Sequence, residues 1–385
     1  MKKIKFFFIA MMAMMTATSF VACSDDDDDT LSNMERYQRA VEQDVRAQKK
    51  HNKAILLVAF GSTWQQAYDA FDKTREEYAD AFKDYDVYLS FSSAICINRA
   101  MAAENTDARS FYEPKYWLEA FGRVQYSEII VQSMQVIPGE EFSRVVNAMK
   151  DFGNNVNGDL DDEYLSKVTL KLGMPLMYTE DDAKALAVVL DNNFHSFAER
   201  GAMLFMGHGN PDEYDTYKAN VRYEQLEKAL QELPNKAYAK NYFVGTVDMA
   251  DNFKVQVRER MQNSGIVDGF VYCAPLMSIA GDHAHNDMAD EEMVPTKMVN
   301  NREVEITNFN DFEVAENGEV EDCSWRVYFG IEGSGYQIDE SAYKDNGEGA
   351  LVKGLLEYKN IRDIYINHTN AAEKVDFYHS MYPED

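Results

Sequence analysis

Short, uninterrupted apolar runs alternate with longer stretches of helical periodicity along most of the chain. The apolar runs lie at residues 54–60, 87–91, 128–132, 202–206 and 267–273. Such runs are typical of strands in sheets that are covered on both faces, and the stretches between them, such as 64–82, have the length of helices. The pattern predicts an α/β fold with parallel sheets and right-handed crossovers, in which the strand ends form one functional edge.

The order of these elements recurs along the chain. Gly61 and Gly139 are 78 residues apart in the first part, and Gly207 and Gly281 are 74 residues apart in the second. A repeated order with similar spacing predicts two similar Rossmann-like halves, each a parallel sheet flanked by helices, with a cleft between them.

We assign residues 51–178 to the first half and residues 179–385 to the second. Within the second, residues 291–322 are rich in Glu, Asp and Asn and have little periodicity, which predicts an acidic insertion on the surface. The later elements are predicted to be a strand at 325–331, helices at 349–359 and 371–381, and a strand-like run at 361–366.

Lysines and a short apolar run precede a small-residue stretch that ends in Phe20-Val21-Ala22-Cys23. This is the arrangement of a bacterial lipoprotein signal, and the apolar run is too short to span a bilayer as a permanent helix. We therefore predict a signal peptide at residues 1–22 and lipidation of Cys23, followed by an acidic tether and an N-terminal helix at residues 23–50. The lipid would anchor the exported protein to the outer membrane.

Five consecutive aspartates, Asp25 to Asp29, follow the predicted lipidation site. A block of like charge stays solvated and extended, and this one resembles the acidic surface-export tag of some bacterial lipoproteins. A plain solvated tether would have the same composition. Both faces of the outer membrane, the periplasmic face and the cell surface, therefore stay open.

The formal net charge of -28 narrows the classes of partner. Nucleic acid would be repelled, so we expect no nucleic-acid partner and favour a cation or a small cofactor. Apart from Cys23, the three cysteines lack the paired spacing of a disulfide framework or a zinc knuckle. Cys96 and Cys273 lie in apolar surroundings and are predicted to be buried.

Three segments at predicted strand ends carry the residues best suited to chemistry. They are Met206-Gly207-His208-Gly209, Gly245-Thr246-Val247-Asp248 and Gly281-Asp282-His283-Ala284-His285. The chain has 7 histidines, and three of them fall in these segments. Flanking glycines leave His208 open to the close approach of a flat ligand. Alternatively, His208 is a turn residue that adopts a positive φ.

With several other motifs, these segments resemble the anaerobic-type sirohydrochlorin cobalt chelatases, relatives of ferrochelatase. The resemblance runs from residue 54 to about 289 and resumes at 324–372, and it implies a chelatase-like fold in both halves. Its most specific parts are the segments around His208 and His283. Supporting motifs are Phe60-Gly61, Phe91-Ser92-Ser93, Val131-Gln132-Ser133, Ile137-Pro138-Gly139-Glu140-Glu141, Pro275-Leu276-Met277 and Asn286-Asp287-Met288-Ala289.

The resemblance implies a metal site formed by His208, Asp248 and His283. The family usually has glutamate where this chain has Asp248, so the carboxylate is shorter by about one methylene length. Gln135 stands where the family commonly has histidine, and residues 210–213 replace a segment that often contains another. These departures leave the identity and the affinity of the metal open.

Imidazole and carboxylate ligands suit first-row divalent ions, so cobalt is expected as the metal substrate, with iron or nickel as alternatives. We predict His208 to be both a metal ligand and a base, with His283 holding the ion from the opposite wall. Asp282 is expected to point elsewhere if its loop is extended, or else to orient a histidine, and His285 is either a further ligand or a polar loop residue. The macrocycle is expected to pass close to Gly207, Gly209 and Gly281.

The sequence therefore predicts a cobaltochelatase that acts on a tetrapyrrole outside the cytoplasm. Tetrapyrroles are normally made inside the cell, so such an enzyme would act on a scavenged or exported macrocycle, or would remove metal. The alternative is a lipoprotein that captures haem or a related tetrapyrrole for an outer-membrane transporter. The oligomeric state stays open.

Overall fold

The structure is a computed structural model that describes residues 32–102, 109–215, 217–316, 318–320, 322–344 and 351–375. Its strands are β1 (Lys53–Ala59), β2 (Asp86–Phe91), β3 (Glu128–Ser133), β4 (Thr169–Gly173), β5 (Gly201–Gly207), β6 (Tyr242–Thr246), β7 (Gly269–Pro275), β8 (Thr296–Val299), β9 (Arg302–Glu305), β10 (Tyr336–Ile338) and β11 (Glu373–Lys374). Its helices are α1 (Asn33–Gln48), α2 (Gln65–Ala81), α3 (Ala94–Met101), α4 (Pro114–Arg123), α5 (Glu140–Gly153), α6 (Asp162–Leu165), α7 (Glu180–Ala198), α8 (Val221–Gln231), α9 (Lys254–Asn263), α10 (Trp325–Gly330) and α11 (Lys359–Asn370). The predicted lipidation site Cys23, the signal peptide and His379 lie outside the described residues.

Two sheets organise the molecule. The first has the strand order β11-β4-β3-β1-β2, in which β1 to β4 are parallel and only β11 runs antiparallel to its neighbour β4. The second has the order β10-β7-β5-β6 and is parallel throughout. The predicted α/β fold of parallel sheets flanked by helices is confirmed.

Strand β1 shows why the apolar runs are continuous. Its alternate side chains enter two different cores, because successive residues of a strand point to opposite faces of the sheet. Ala54, Leu56 and Val58 pack with α1, α4 and α5 on one face. Ile55, Leu57 and Ala59 pack on the other face, in a core that also contains strands of the second sheet. Each fully buried aliphatic side chain stabilises the fold by about 1.5–3 kcal/mol.

The shared core makes the two halves one packed body, and α11 lies at their junction. Tyr365 of α11 donates hydrogen bonds to the carbonyls of Met134 (3.0 Å) and Gln135 (3.1 Å), which follow β3. Arg362 forms an ion pair with Glu77 of α2 at 2.7 Å. The chain thus returns to the first sheet at its end, where β11 covers the outer edge of β4. The boundary at 178/179 stays a prediction, since the range 179–385 contains elements of both sheets.

Several predictions of local structure near the C-terminus were wrong. The predicted strand at 325–331 is helix α10, because Ser324 caps it and Trp325, Tyr328 and Phe329 are buried at helical spacing. The strand-like run at 361–366 lies within α11. The described part of the predicted helix at 349–359 contains a 3₁₀ turn, Leu355–Glu357, and the first residue of α11, and the described part of 371–381 contains β11.

The predicted acidic insertion at 291–322 contains the hairpin of β8 and β9, whose side chains are mostly exposed. Its end packs against α9, where Lys254 pairs with Glu319 at 3.2 Å and Gln256 donates to the carbonyl of Gly318 at 3.0 Å. At the other end of the described chain, the predicted N-terminal helix is α1, with a capping box at Ser32. No helix in the described part of the chain is long and apolar enough to cross a membrane.

We predict that Gly245→Ala destabilises the protein. Gly245 lies in β6, and a Cβ at this position would lie 2.4 Å from Val257 Cγ2 and 2.5 Å from Trp325 Cη2. Overpacking of this kind costs about 1–3 kcal/mol, because α9 and α10 would have to move. Urea unfolding should show that loss, whereas Ser196→Ala on the exposed face of α7 should change the free energy of unfolding by less than about 0.5 kcal/mol. Equal stabilities would contradict the prediction.

Candidate active site

The loops that follow the parallel strands face one another across the two sheets. The segments that begin at these loops carry the candidate side chains: Trp64 after β1, Glu141 after β3, His208 after β5, Asp248 after β6 and His283 after β7. The loops touch across the halves, since Trp64 Nε1 donates to Asp282 Oδ1 at 2.7 Å. The carboxyl ends of parallel strands are where open α/β sheets bind ligands.

His208 directly follows the last residue of β5, and its side chain is 49% exposed. Its Nδ1 lies 2.8 Å from the carbonyl oxygen of Gly209 and 3.4 Å from Asp248 Oδ2. Positive φ occurs at Gly209 (φ 79) and not at His208. The turn-residue alternative for His208 therefore does not hold, because the glycine takes the left-handed position.

His283 begins a π-helical turn, His283–Met288, that follows β7. Its Nδ1 lies 2.5 Å from Asp287 Oδ2, one turn further on. Burial alone lowers the pKa of His283, but the hydrogen bond and charge of Asp287, with the charges of Asp248 and Asp282, outweigh it and raise the pKa above its ordinary value. The side chain is still 42% exposed.

The two imidazoles converge, although their residues are far apart in the sequence. The ring centroids of His208 and His283 are 4.8 Å apart, and the planes meet at 85°. Because Nδ1 of each ring faces an oxygen acceptor, Nε2 is the atom left to bind a metal ion, as in other metal sites that hold histidine through its second nitrogen. Both rings are partly open to solvent, so the pair is accessible.

Asp248 is adjacent to this pair through its backbone as well as its side chain. Its amide donates to the carbonyl of His208 at 2.9 Å, while its carboxylate faces Nδ1 of the same residue. Within the described residues, no three His, Cys, Asp or Glu side chains are arranged as a ready metal-binding group. The three-ligand set of His208, Asp248 and His283 therefore stays a prediction.

Of the two alternatives for Asp282, the structure shows the one in which its side chain points away from the histidines. Its carboxylate accepts from Trp64 and lies 3.5 Å from Arg99, so it faces the first half of the chain. Asp287 orients His283 instead, and the spacing of four residues in the motif was the signal that sequence reasoning missed. His285 stacks on Trp64 with ring centroids 3.8 Å apart at 10°.

The three glycines predicted to contact the macrocycle also have reasons within the protein. A Cβ on Gly207 would lie 2.3 Å from Tyr223 Cε1, and one on Gly209 would lie 2.8 Å from the amide nitrogen of Met249. A Cβ on Gly281 would lie 3.0 Å from Ile279 Cδ1 and 3.7 Å from Ser62 Oγ. Their contact with a ligand stays a prediction.

Comparison with known proteins bears on this pair of histidines. The family model described as cobalt chelatase (CbiK) matches residues 53–308, which include both histidines and Asp248. The chain belongs to the cobalt chelatase family. The enzyme class predicted from the sequence, a metal chelatase, is thereby confirmed.

Two curated relatives of this chelatase are similar over most of their length. A sirohydrochlorin cobaltochelatase from Salmonella typhimurium is 25% identical over 252 residues, which are 64% of this chain and 83% of the relative. The sirohydrochlorin cobaltochelatase CbiKC from Nitratidesulfovibrio vulgaris is 27% identical over 322 residues, 83% of this chain and 90% of the relative. A solved periplasmic sugar-binding protein from Pseudomonas fluorescens aligns over 57% of this chain and 60% of its own, with 11% identity and a TM-score of 0.25, too low to bear on the fold.

Glu141 is a residue of this chelatase that sequence reasoning did not select. It lies in the first turn of α5, accepts a hydrogen bond from Ser92 at 2.8 Å and faces Arg144 at 3.2 Å. Burial raises its pKa, although Arg144, Ser92 and the nearby charge of His208 act in the opposite direction. The motif Ile137-Pro138-Gly139-Glu140-Glu141 contained the signal, but only the fold brings this carboxyl close to His208.

Gln135 and the described cysteines are mostly shielded from solvent. Gln135 follows β3, is 8% exposed and accepts a hydrogen bond from Ser133, so it does not project into solvent. Cys273 is buried as predicted, whereas Cys96 is only partly buried. Burial raises the pKa of Cys323 to about 12 and raises that of Cys273 as well, so both thiols stay protonated.

We predict that Asp287→Asn lowers the pKa of His283 in the metal-free chelatase. The variant keeps a hydrogen-bond acceptor but removes the largest charge that favours the imidazolium. In the wild type, the charged pair stabilises the fold below the unfolded-state pKa near 6.5 and loses this effect as pH rises through the higher folded pKa. NMR titration of the ring nitrogens measures both values. A pKa that is unchanged in Asp287→Asn, or a wild-type value below 6.5, would contradict the assignment.

Proposed function

We propose that this chelatase inserts cobalt into sirohydrochlorin. Both curated relatives are named sirohydrochlorin cobaltochelatases, which supports this substrate and metal. The observation that carries the proposal is the pair of imidazoles, 4.8 Å apart, each with Nδ1 held by an oxygen acceptor. Two neutral imidazoles that present Nε2 are a suitable donor set for cobalt, and iron and nickel share that preference.

The surroundings of the pair favour the arrival of a divalent cation. Asp248 and Asp287 lie beside the two rings, and the whole chain carries a net charge of -28. A negative rim attracts cations and raises their local concentration. In this proposal His208 and His283 bind cobalt through Nε2, and the few protein ligands leave open positions for the pyrrole nitrogens of the macrocycle. Asp248 completes the set if its carboxylate turns from His208 Nδ1 to the ion.

Insertion exchanges the cobalt dication for two pyrrole protons, so two proton acceptors are needed. His208, once cobalt has moved into the macrocycle, accepts one proton at Nε2. Glu141 accepts the other, because a carboxylate with a raised pKa is a stronger base than one in water. The two groups come from different halves of the fold and lie near enough for their charges to interact.

We further propose that the enzyme is exported and anchored to the outer membrane through a lipid on Cys23. The support is the sequence of residues 1–22 and the acidic stretch that follows Cys23. In that location the macrocycle substrate would be scavenged from outside or exported by the cell.

The alternative proposal is a capture protein that holds a tetrapyrrole for an outer-membrane transporter. The contact of Asp248 with Nδ1 of His208 favours this alternative, because a carboxylate engaged there is not available to bind the ion. Removal of metal from a macrocycle is the reverse of the proposed reaction at the same site. Binding of the tetrapyrrole without exchange of metal would support the capture protein.

We predict that the purified full-length protein converts sirohydrochlorin and Co²⁺ into cobalt-sirohydrochlorin, followed by visible absorption. His208→Ala and His283→Ala should each lower the rate of insertion at least about 100-fold, because each substitution removes a proposed metal ligand. His208→Ala also removes a proposed base. His195→Ala is the matched control, since this histidine is exposed on α7, where its Nδ1 lies 3.1 Å from the carbonyl oxygen of Asp191. The proposal fails if the wild type inserts no cobalt or if the three variants behave alike.

We predict that Glu141→Gln lowers kcat by about 10-fold or more, because one of the two proton acceptors is lost. Glu140→Gln is the control, since Glu140 is the next residue and also pairs with Arg144, at 2.7 Å, but is not buried beside His208. Single-turnover insertion rates at saturating cobalt separate the chemical step from metal binding. Similar rates in the two variants would exclude Glu141 as a proton acceptor.

A further inference from the structure

The histidine loops belong to the second half of the chain, but residues of the first half brace both of them. Next to His208, the side chain of Asn210 packs on Gly139, where an added Cβ would lie 2.6 Å from Asn210 Nδ2. Next to His283, Asp282 and His285 contact Trp64. Each histidine is thus within two residues of a contact that crosses between the halves.

Trp64 contacts two residues of the segment that carries His283. Its indole N–H donates to Asp282 Oδ1 at 2.7 Å, and its ring lies parallel to that of His285, with centroids 3.8 Å apart and an interplanar angle of 10°. Arg99 of α3 adds a charge contact to the other oxygen of Asp282 at 3.5 Å. We name Trp64, Arg99, Asp282 and His285 the clamp.

The clamp holds the turn that carries His283 from its outer side. Asp282 and His285 lie on either side of His283, while Ala284 and Met288 fix the inner side of the turn in the core. A π-helical turn is rare and is not favoured by local hydrogen bonding alone, so it depends on tertiary contacts. The clamp and the core therefore fix the position of the turn, and Asp287 orients the His283 ring within it.

We propose that Trp64 is a positioning residue, which acts through Asp282 and His285 to hold His283 opposite His208. This inference rests on the proposed function, because it assigns His283 to the binding of the metal substrate. Arg99 has a smaller part, since its contact with Asp282 is long and both side chains are about half exposed. The first half of the fold thereby contributes to the metal site without supplying a metal ligand.

The test compares Trp64→Leu, Trp64→Phe and Arg99→Met in the full-length protein. Trp64→Leu removes both the stacked ring and the N–H, and should weaken Co²⁺ binding and raise the KM for Co²⁺ by about 10-fold, the lower end for loss of an outer partner of a metal ligand. Trp64→Phe keeps a ring for His285 and should recover part of the loss. The KM for sirohydrochlorin should stay within about 2-fold of the wild type in all three variants.

Arg109→Met is the matched control for Arg99→Met. Arg109 forms an ion pair with Asp72 at 2.7 Å within the first half, away from the clamp. Arg109→Met should leave Co²⁺ binding and the NMR signals of the His283 ring unchanged. Thermal midpoints of Arg99→Met and Arg109→Met should stay close to that of the wild type, because both arginine side chains are partly exposed.

Three outcomes would overturn the proposal. One is unchanged Co²⁺ binding in Trp64→Leu, and another is a rise in the KM for sirohydrochlorin alone, which would make Trp64 a platform for the macrocycle. The third is an unchanged NMR spectrum of the His283 ring in metal-free Trp64→Leu. This last measurement needs neither cobalt nor turnover, so it tests the clamp even if the wild type proves not to insert cobalt.

Discussion

The chemistry of this protein depends on how two imidazole rings are held. His208 and His283 meet edge to face, and Nδ1 of each ring faces an oxygen atom, from Gly209 and Asp248 for the first ring and from Asp287 for the second. Hydrogen bonds of this kind select the tautomer and the orientation of a metal-binding histidine. Without them, each ring could rotate about its side-chain torsions, and the two Nε2 atoms would not present a common site. The other features of the edge serve to bring these two rings together and keep them accessible.

The fold meets this constraint by joining two sheets through one core. Each sheet places its loops at the carboxyl ends of parallel strands, and the common core sets the two edges against each other. Helix α11 reinforces the arrangement, because its residues Arg362 and Tyr365 form an ion pair and hydrogen bonds with the first half. The second half therefore supplies both histidines, and the first half supplies Glu141 and the contacts of Trp64. Neither half alone would contain all these groups.

The electrostatic surroundings affect the two kinds of titratable group differently. Negative side chains around His283 raise its pKa despite partial burial, so acid conditions convert that ring to a form that cannot bind metal. Burial raises the pKa of Glu141 as well, but there the cause is the loss of water around a carboxylate. An acidic edge therefore attracts cations and at the same time makes its histidine sensitive to protons. In the proposed mechanism, a metal substrate and protons therefore compete for the same nitrogen atom.

Much of this could be predicted from the sequence, because it depends on local pattern and residue type. Continuous apolar runs identified β1, β2, β3, β5 and β7, and the resemblance to the cobalt chelatases, carried by the segments after β5 and β7, identified the ring pair. The helices α10 and α11 were missed because a short apolar segment suits either a strand or a buried helix, and its neighbours in space decide between them. Asp287, which holds Nδ1 of His283, was not selected, because its spacing of four residues brings it to that ring only if the segment is helical, and the sequence was interpreted there as a loop. Glu141 and Trp64 acquire their roles from residues far away in the chain; Trp64 and Asp282 are 218 positions apart. The sequence by itself determined these five strands, the donor atoms and the strand ends that carry them, because these follow from side-chain chemistry and spacing. Only the tertiary structure decided which acid holds which ring and which half braces it, because those contacts exist only once distant segments share one core.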